Sequence, residues 1–250
     1  MSGTWSVTGH YLAMDTSTPI GSVAVAVGGE VLARRFLRVQ GAHAAHLIPE
    51  IEGVLADASV PLQDLDGIVV GGGPGSFTGV RVAAATAKGL RRALGVPLWV
   101  FSSLAGGAAS LGLRWLPGAE GPNLPLTDED RAWPRYILLD ARGGRVYAAC
   151  YLENPHGLDT LVEPHSTMID VLLSGEVPYS VFAGDGAHRH TDQIKGAGFP
   201  VLASPVGGPL ADGLIRLLAL TPDTAPLENP SAWEPSYLRA TGAERMARGG

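Results

Sequence analysis

Alternating and continuous apolar runs divide the first hundred residues into strands and helices. Three short β-rich runs, separated by Pro-Ile-Gly and Gly-Gly-Glu turns, predict a three-stranded meander. The next segment repeats apolar residues every three or four positions, which predicts an amphipathic helix with Pro49 near its first turn or kinking it. A buried strand, a glycine-rich loop, a second helix and a fifth strand follow. The predicted order is βββαβαβ, with strands at 11–14, 22–27, 31–37, 67–70 and 96–101 and helices at 43–58 and 77–94.

The start of this pattern recurs 125 residues later. YLAMDTSTPIGSVAVAV and YILLDARGGRVYAACYL share a tyrosine, an apolar strand, an aspartate, a glycine-containing turn and a second strand, so Asp15 matches Asp140. Further on, IVVGGG at 68–73 has a counterpart in VFAGDG at 181–186. We therefore predict an α/β protein with two ribonuclease-H-like lobes, each a mixed sheet with helices, on the plan of the actin, sugar-kinase and heat-shock ATPase superfamily.

The repeat also predicts where the lobes divide. We expect the first lobe at 1–105 and the second at 106–207, with a helix near 208–221 packing back on the first lobe. Proline and turn-forming residues are frequent at 114–135, which is typical of a connection between lobes. Residues 222–250 are expected to form a C-terminal tail.

Composition and charge narrow the class of protein. A chain of 250 residues with 46% hydrophobic content can bury a large core, whereas a net charge of −6 argues against binding nucleic acid through its overall field. The start of the chain has no basic and apolar targeting pattern, and no run approaches the roughly 18 apolar residues of a membrane span. The single cysteine, Cys150, is predicted to be a buried thiol. We expect a cytoplasmic protein.

The loop GGGPGSFTGVR at 71–81 resembles a phosphate-binding loop only at first sight. A Walker loop needs a lysine directly after its glycines, but the first lysine here is Lys88, and the spacing of the glycines does not match the dinucleotide pattern either. We expect a tight turn in which Ser76 or Thr78 caps the second helix, with free amides that need not bind an anion.

The two first-lobe helices have small and apolar faces. The second helix carries glycine and alanine through its centre, which allows another helix to come very close. Such a face suits packing inside the protein's own domain or a helical interface between subunits, and the pattern leaves both open.

Six ordered motifs resemble the TsaB (YeaZ) family. They are AMDTSTPIGSVAV, HAAHLIPEIEGVL, GGGPGSFTGVRVAAATAKGL, VPLWVFSSLAGGA, LLDARGGRVYAACY and EPSYLR, and together they run from about Tyr11 to Arg239. The resemblance implies a non-catalytic partner of TsaD in bacterial synthesis of N6-threonylcarbamoyladenosine, t6A, at adenosine 37 of tRNAs that read ANN codons. It further implies a complex with TsaD and TsaE and contact with tRNA through that complex. A homodimer in the absence of TsaD is a further state that the sequence leaves open.

On this resemblance, we expect the two helices to pack against the matching helices of TsaD. The expected contact residues are Leu47, Ile51, Val54, Leu55, Val80, Arg81, Ala84, Ala87, Lys88 and Arg91. No catalytic residue, cofactor or metal is expected.

Three enzyme classes are the alternatives. The catalytic sister family has a His-x-x-x-His metal site after the strand that matches 96–101, where this chain has Ser103 and Gly107, which cannot replace imidazole ligands. A glycoprotease-like hydrolase lacks support because no Gly-x-Ser-x-Gly elbow is present. A free-standing ATPase or kinase would need acidic groups for magnesium, for which Asp15 and Asp140 are the weak candidates.

Overall fold

The structure is a computed structural model that describes residues 6–37, 43–111, 133–154, 157–202 and 211–238. It contains two mixed sheets with helices, as the pattern predicted, so the predicted fold class is confirmed. Within these ranges, no helix is both long and apolar enough to cross a bilayer.

The first sheet has five strands in the order β3-β2-β1-β4-β5. Strands β1, β2 and β3 form the antiparallel meander, and β4 and β5 continue the sheet parallel to β1. The bounds are β1 at His10–Asp15, β2 at Gly21–Val27, β3 at Glu30–Leu37, β4 at Gly67–Gly71 and β5 at Leu98–Phe101. These agree with the predicted strands to within two residues at either end.

Alternation along these strands gives the sheet two apolar faces. Leu12 and Met14 of β1 point into one core cluster, together with α1 at His43–Ala58 and α2 at Phe77–Leu94. Tyr11 and Ala13 point into a second cluster, which is completed by α7 at Ala211–Leu220. Both faces of the sheet are therefore covered, which explains why its central strands are buried throughout.

The second sheet has four strands in the order β8-β7-β6-β9. Its bounds are β6 at Arg135–Asp140, β7 at Arg145–Asn154, β8 at Gly157–Met168 and β9 at Val181–Ala183. Short helices α4 at Ile169–Ser174, α5 at Asp185–Arg189 and α6 at Thr191–Gly196 contribute to the apolar cluster on one face. The helix α3 at Ser103–Ser110 packs on the other face. The thiol of Cys150 is buried in β7, as predicted.

The helices α3 and α7 contact each other between the two lobes. The helix α3 follows the first-lobe strand β5 but packs on the second sheet, and α7 packs on the first sheet. They touch through glycines, because a Cβ at Gly213 would lie 2.0 Å from the carbonyl oxygen of Gly106. Around this contact, Glu153 of β7 is bonded by both Arg135 of β6 and Arg216 of α7. The interface thus combines close backbone approach with a charge-assisted network.

The predicted connection at 114–135 lies mostly outside the described residues. Its last residue, Arg135, belongs instead to β6, where its side chain is 1% exposed and donates to the carbonyl of Ala108 at 3.0 Å. A buried, paired arginine was not expected from the turn-rich composition around it. The proposed boundaries of the two lobes stay predictions.

The α3–α7 contact predicts that Gly213→Ala destabilises the chain. The added methyl has no space against Gly106, so we expect the free energy of unfolding to fall by roughly 1–3 kcal/mol. Gly89→Ala is the matched control, because Gly89 is also inside a helix and a Cβ there meets nothing within 4 Å. That variant should be unchanged or gain roughly 0.5–1 kcal/mol. Urea denaturation followed by circular dichroism measures both, and equal stability of the two variants would contradict the close contact.

Candidate functional site

The carboxylate of Asp15 is buried at the end of β1 and is fully engaged by hydroxyl and amide donors. The amide of Ser17 donates to its Oδ1 at 2.7 Å, and the hydroxyl of Ser17 donates to the same oxygen at 2.6 Å. The hydroxyl of Ser103, at the start of α3, donates to Oδ2 at 2.7 Å and accepts from the amide of Gly73 at 3.1 Å. Burial raises the pKa of Asp15 to about 6, although these hydrogen bonds oppose the shift.

The glycine-rich loop packs directly against the Asp15 turn. A Cβ at Gly71 would lie 1.7 Å from Oδ2 of Asp15, and one at Gly79 would lie 1.9 Å from the carbonyl oxygen of Thr16. The amide of Ser76 donates to the carbonyl of Ser17 at 2.7 Å, and the hydroxyl of Thr16 donates to the carbonyl of Gly79 at 2.7 Å. The glycines are therefore needed so that two turns of this chain can touch. Of the two predicted caps, Ser76 is the one at the N-cap position.

The matching aspartate of the second lobe has a different environment. Asp140 accepts from the amide of Arg142 at 2.9 Å and from Nη1 of Arg189 at 2.8 Å, and its side chain remains partly exposed. Its own amide donates to Asp185 at 3.2 Å. Burial raises the pKa of Asp185 to about 6, although the hydrogen bond from the amide of Asp140 opposes the shift. In the first lobe, Asp15 and its donors Ser17 and Ser103 thus form a closed hydrogen-bonded cluster, which we call the Asp15 node. In the second lobe, Asp140 forms a more open ion pair.

Metal ligands are not assembled around either aspartate. The part of the chain that the structure describes contains no group of three or more His, Cys, Asp or Glu side chains that would hold a metal ion. Ser103 and Gly107, which stand where the catalytic sister family has histidines, are both buried in α3. His188 lies in α5 and His190 directly after it, where Nδ1 of His190 is 2.7 Å from the side-chain oxygen of Gln193.

The apolar residues that were expected to contact a partner lie in the first lobe's own core. All seven are at most 7% exposed, and most belong to the cluster between the sheet and α1 and α2; they are Leu47, Ile51, Val54, Leu55, Val80, Ala84 and Ala87. Apolar periodicity therefore identified the stripe that each helix turns to the sheet. The outward face consists of other residues, which include Ala44, Ala45, Ile48, Ala85 and Gly89. Whether the predicted set reaches a partner stays a prediction.

Two of the three basic members of that set contact the C-terminal segment, residues 227–238. Lys88 donates from Nζ to the carbonyls of Ser231 and Trp233, and Nε of Arg81 donates to the hydroxyl of Tyr237 at 3.0 Å. Arg91 is half-buried, and among the described residues its Nε has no hydrogen-bond partner. The sequence reasoning missed Trp233 and Tyr237 as neighbours of α2, although Tyr237 lies in the motif EPSYLR.

The same segment also crosses the glycine-rich loop. The amide of Leu227 donates to the carbonyl of Leu98 at 2.8 Å, and the amide of Ser236 donates to that of Gly72 at 2.8 Å. Leu238 then packs against the cluster that contains α3 and the second sheet. Residues 227–238 thus run from the edge strand β5, over the loop, to the second lobe.

Comparison with known proteins places the chain in a family. The family model described as TsaD, tRNA N6-adenosine threonylcarbamoyltransferase, matches residues 37–192. The tRNA threonylcarbamoyladenosine biosynthesis protein TsaB of Bacillus subtilis is 31% identical over 188 residues, which are 74% of this chain and 74% of that protein.

Solved structures agree with this assignment. YeaZ from Pseudomonas aeruginosa matches with a TM-score of 0.69 and 27% identity, over 92% of this chain and 100% of that one. Component A of the (R)-2-hydroxyglutaryl-CoA dehydratase from Acidaminococcus fermentans matches with a TM-score of 0.51 over 86% of this chain and 98% of that one, at 12% identity, which shows the fold alone. The two mixed sheets and these matches define a protein with the fold class of the actin-like ATPases and sugar kinases. Within it, the chain belongs to the TsaB (YeaZ) family.

The buried Asp15 node predicts a specific dependence of stability on pH. Because the pKa of Asp15 is about 6 in the folded chain and the ordinary pKa of an aspartate is 3.8, the folded chain binds this proton more tightly than the unfolded chain does. The contribution of Asp15 to the free energy of unfolding therefore falls as pH rises from about 4 to about 6, by at most about 3 kcal/mol, and is then constant.

The measurement is urea denaturation of the wild type and Asp15→Asn across that pH range. We expect the wild-type free energy of unfolding minus that of the variant to decrease from about pH 4 to about pH 6. The shift of Asp185 has the same direction but is present in both proteins, so the difference removes it. A difference that is flat, or that rises with pH, would show that the carboxyl of Asp15 is not held in this way.

Proposed function

We propose that this chain is a non-catalytic subunit in the synthesis of t6A at adenosine 37 of tRNAs that read ANN codons. It binds TsaD and, together with TsaE, activates it in the cytoplasm. The proposal is supported by the similarity of most of the chain to TsaB proteins of t6A biosynthesis and by the ordered motifs. The chain contacts tRNA through the complex and self-associates when TsaD is absent.

The observation that carries the non-catalytic role is the closed node at Asp15. Three donors from Ser17 and Ser103 already occupy its two oxygens, and Gly71 lies against Oδ2 without space for another atom. A magnesium-bound nucleotide would have to displace these contacts to reach the carboxylate. The serine and glycine in place of the histidine pair also support a non-catalytic role, because neither supplies a nitrogen ligand for a metal ion.

A free-standing ATPase or kinase is the second candidate, and the second lobe favours it. Asp140 is partly exposed at the end of β6, beside Asp185 and Arg189, so a cation or phosphate can approach it without breaking a buried network. Titration of the isolated chain with ATP and magnesium separates this candidate from the first.

The outward faces of α1 and α2 are the surface that we propose for TsaD. Ile48 is 44% exposed on α1, and the outward stripe of α2 has Ala85 and Gly89 at its centre. Small residues let a partner helix approach closely, and a Cβ at Gly89 would meet nothing within 4 Å. The buried apolar residues of α1 and α2 hold both helices on the first sheet and so fix the position of this surface.

Reconstitution tests the proposed function directly. We expect t6A on unmodified tRNA when this chain, TsaD, TsaE, ATP and threonylcarbamoyl-adenylate are combined, and almost none when either this chain or TsaD is omitted. Nucleoside mass spectrometry measures the product, and phosphate release measures hydrolysis. Modification by this chain without TsaD, or steady ATP hydrolysis by this chain alone, would replace the subunit role by an enzymatic one.

Neighbouring alanines on α2 test the proposed surface. Ala85 is exposed, so Ala85→Trp should leave the melting temperature nearly unchanged while weakening TsaD binding about tenfold or more, since bulk at a close helix contact costs roughly 1–3 kcal/mol. Ala84 is 5% exposed, so Ala84→Trp should lower the melting temperature markedly. Calorimetric titration and thermal unfolding give both values. Normal TsaD binding by a folded Ala85→Trp variant would exclude this face.

A further inference from the structure

The exposed guanidinium of Arg81 is held in a fixed orientation by two aromatic side chains. Its carbon lies 3.9 Å from the ring centroid of Phe77, one turn earlier on α2, and 5.7 Å from that of Tyr237. The two rings are 5.2 Å apart, and the hydroxyl of Tyr237 accepts from Nε at 3.0 Å. Stacking and this hydrogen bond restrict a side chain that would otherwise lose rotamer freedom on binding.

The remaining donors of Arg81 point to an acidic ligand. Within the described residues, no hydrogen bond or ion pair engages its Nη groups, and Arg91 and Arg92 of the same helix also form no ion pair there. The helix α2 itself contains no acidic residue. A basic stripe therefore faces outward on a chain whose net charge is −6. A guanidinium with both terminal groups available binds a carboxylate through two parallel hydrogen bonds.

From this geometry we infer that Arg81 binds a carboxylate on the partner protein, with Tyr237 of the C-terminal segment as its positioning residue. The inference rests on the proposed function, since it assigns a determinant to the surface proposed for TsaD. A protein carboxylate fits better than an RNA phosphate, because the outward residues of α2 between the arginines, Ala85 and Gly89, are small and apolar. Phe77, 41% exposed, extends that apolar surface beside Arg81.

The C-terminal segment is held firmly enough for this role. Ser236, next to Tyr237, donates to Gly72, and Trp233 packs partly buried against the first core cluster while its carbonyl accepts from Lys88. These contacts place Tyr237 beside α2 although it is 156 residues away from Arg81 along the chain. The surface proposed for the partner is thus built from two distant parts of the sequence.

Tyr237→Phe tests the inference, because it removes the hydroxyl and keeps the ring. We expect TsaD binding to weaken about two- to tenfold with an unchanged melting temperature, as for the loss of one hydrogen bond. Arg81→Lys should weaken binding about tenfold or more, since lysine cannot make the paired contact. In an Arg81→Ala background, Tyr237→Phe should have no further effect, because its role passes through Arg81. Tyr179→Phe is the control, since Tyr179 is an exposed tyrosine of the second lobe.

Calorimetric titration with TsaD distinguishes the outcomes. Equal weakening by Tyr237→Phe with and without Arg81 would overturn the positioning role, and so would a fall in melting temperature. Normal TsaD binding by both Arg81→Lys and Tyr237→Phe, with Ala85→Trp still disrupting it, would overturn this inference and leave the proposed function standing. Arg81 variants that lose only tRNA binding would replace the carboxylate by a phosphate. A wild-type chain that does not bind TsaD would remove both proposals.

Discussion

The contact between the Asp15 turn and the glycine-rich loop is the constraint on which the rest of the first lobe depends. Both turns follow the carboxyl ends of neighbouring parallel strands, and hydrogen bonds between backbone and hydroxyl groups hold them at a separation that excludes even a methyl group at Gly71 or Gly79. Ser103 extends this node to the first turn of α3. Because α2 starts directly after the loop and α3 directly after β5, the node sets the position of both helices. Burial of the Asp15 carboxylate removes its hydration, and the three donors from the chain offset part of that cost only when each of them is in place.

The fixed position of these helices has consequences on the two sides of the first sheet. On one side, α1 and α2 turn their apolar stripes to the core and leave a face of small and basic residues outward. On the other side, α3 and α7 cross where Gly106 and Gly213 meet, and the acidic Asp212 next to that contact pairs with Arg34 of β3 in a buried ion pair. Removing either charge of such a pair leaves the other unpaired in the interior, which is costly. The buried contacts of α3 and α7 and the outward face of α1 and α2 therefore belong to one packing arrangement around the first sheet.

Sequence reasoning predicted the elements well because the apolar period differs between strands and helices. It predicted α1 and α2 at their observed bounds and paired Asp15 with Asp140 through the repeat. It did not reveal that the seven apolar residues lie in the first lobe's own core, since a stripe at helical spacing looks the same whether it meets the protein's own sheet or another subunit. It also missed the contact of Ser103 with Asp15 and that of Tyr237 with Arg81, which join residues 88 and 156 positions apart. Such contacts depend on tertiary structure, and the turn-rich C-terminal segment has no period that would reveal its path over α2.

The two lobes of the repeat differ in a way that accounts for the role of the C-terminal segment. In the first lobe, the chain's own hydroxyls close the node, whereas in the second lobe Asp140 keeps an exposed arginine as partner. The segment 227–238 lies on the closed lobe, where Gly72 and Leu98 accept from its amides, and it ends with Leu238 against the cluster of the second lobe. It thus bridges the two lobes without covering Asp15 itself, which is already inaccessible. Hydrogen bonds to main-chain carbonyls do not depend on the side chains they join. The demand for particular side chains therefore falls on the positions that pack, which are Leu227 and Trp233 against the first core cluster, Tyr237 against α2 and Leu238 against the cluster of the second lobe.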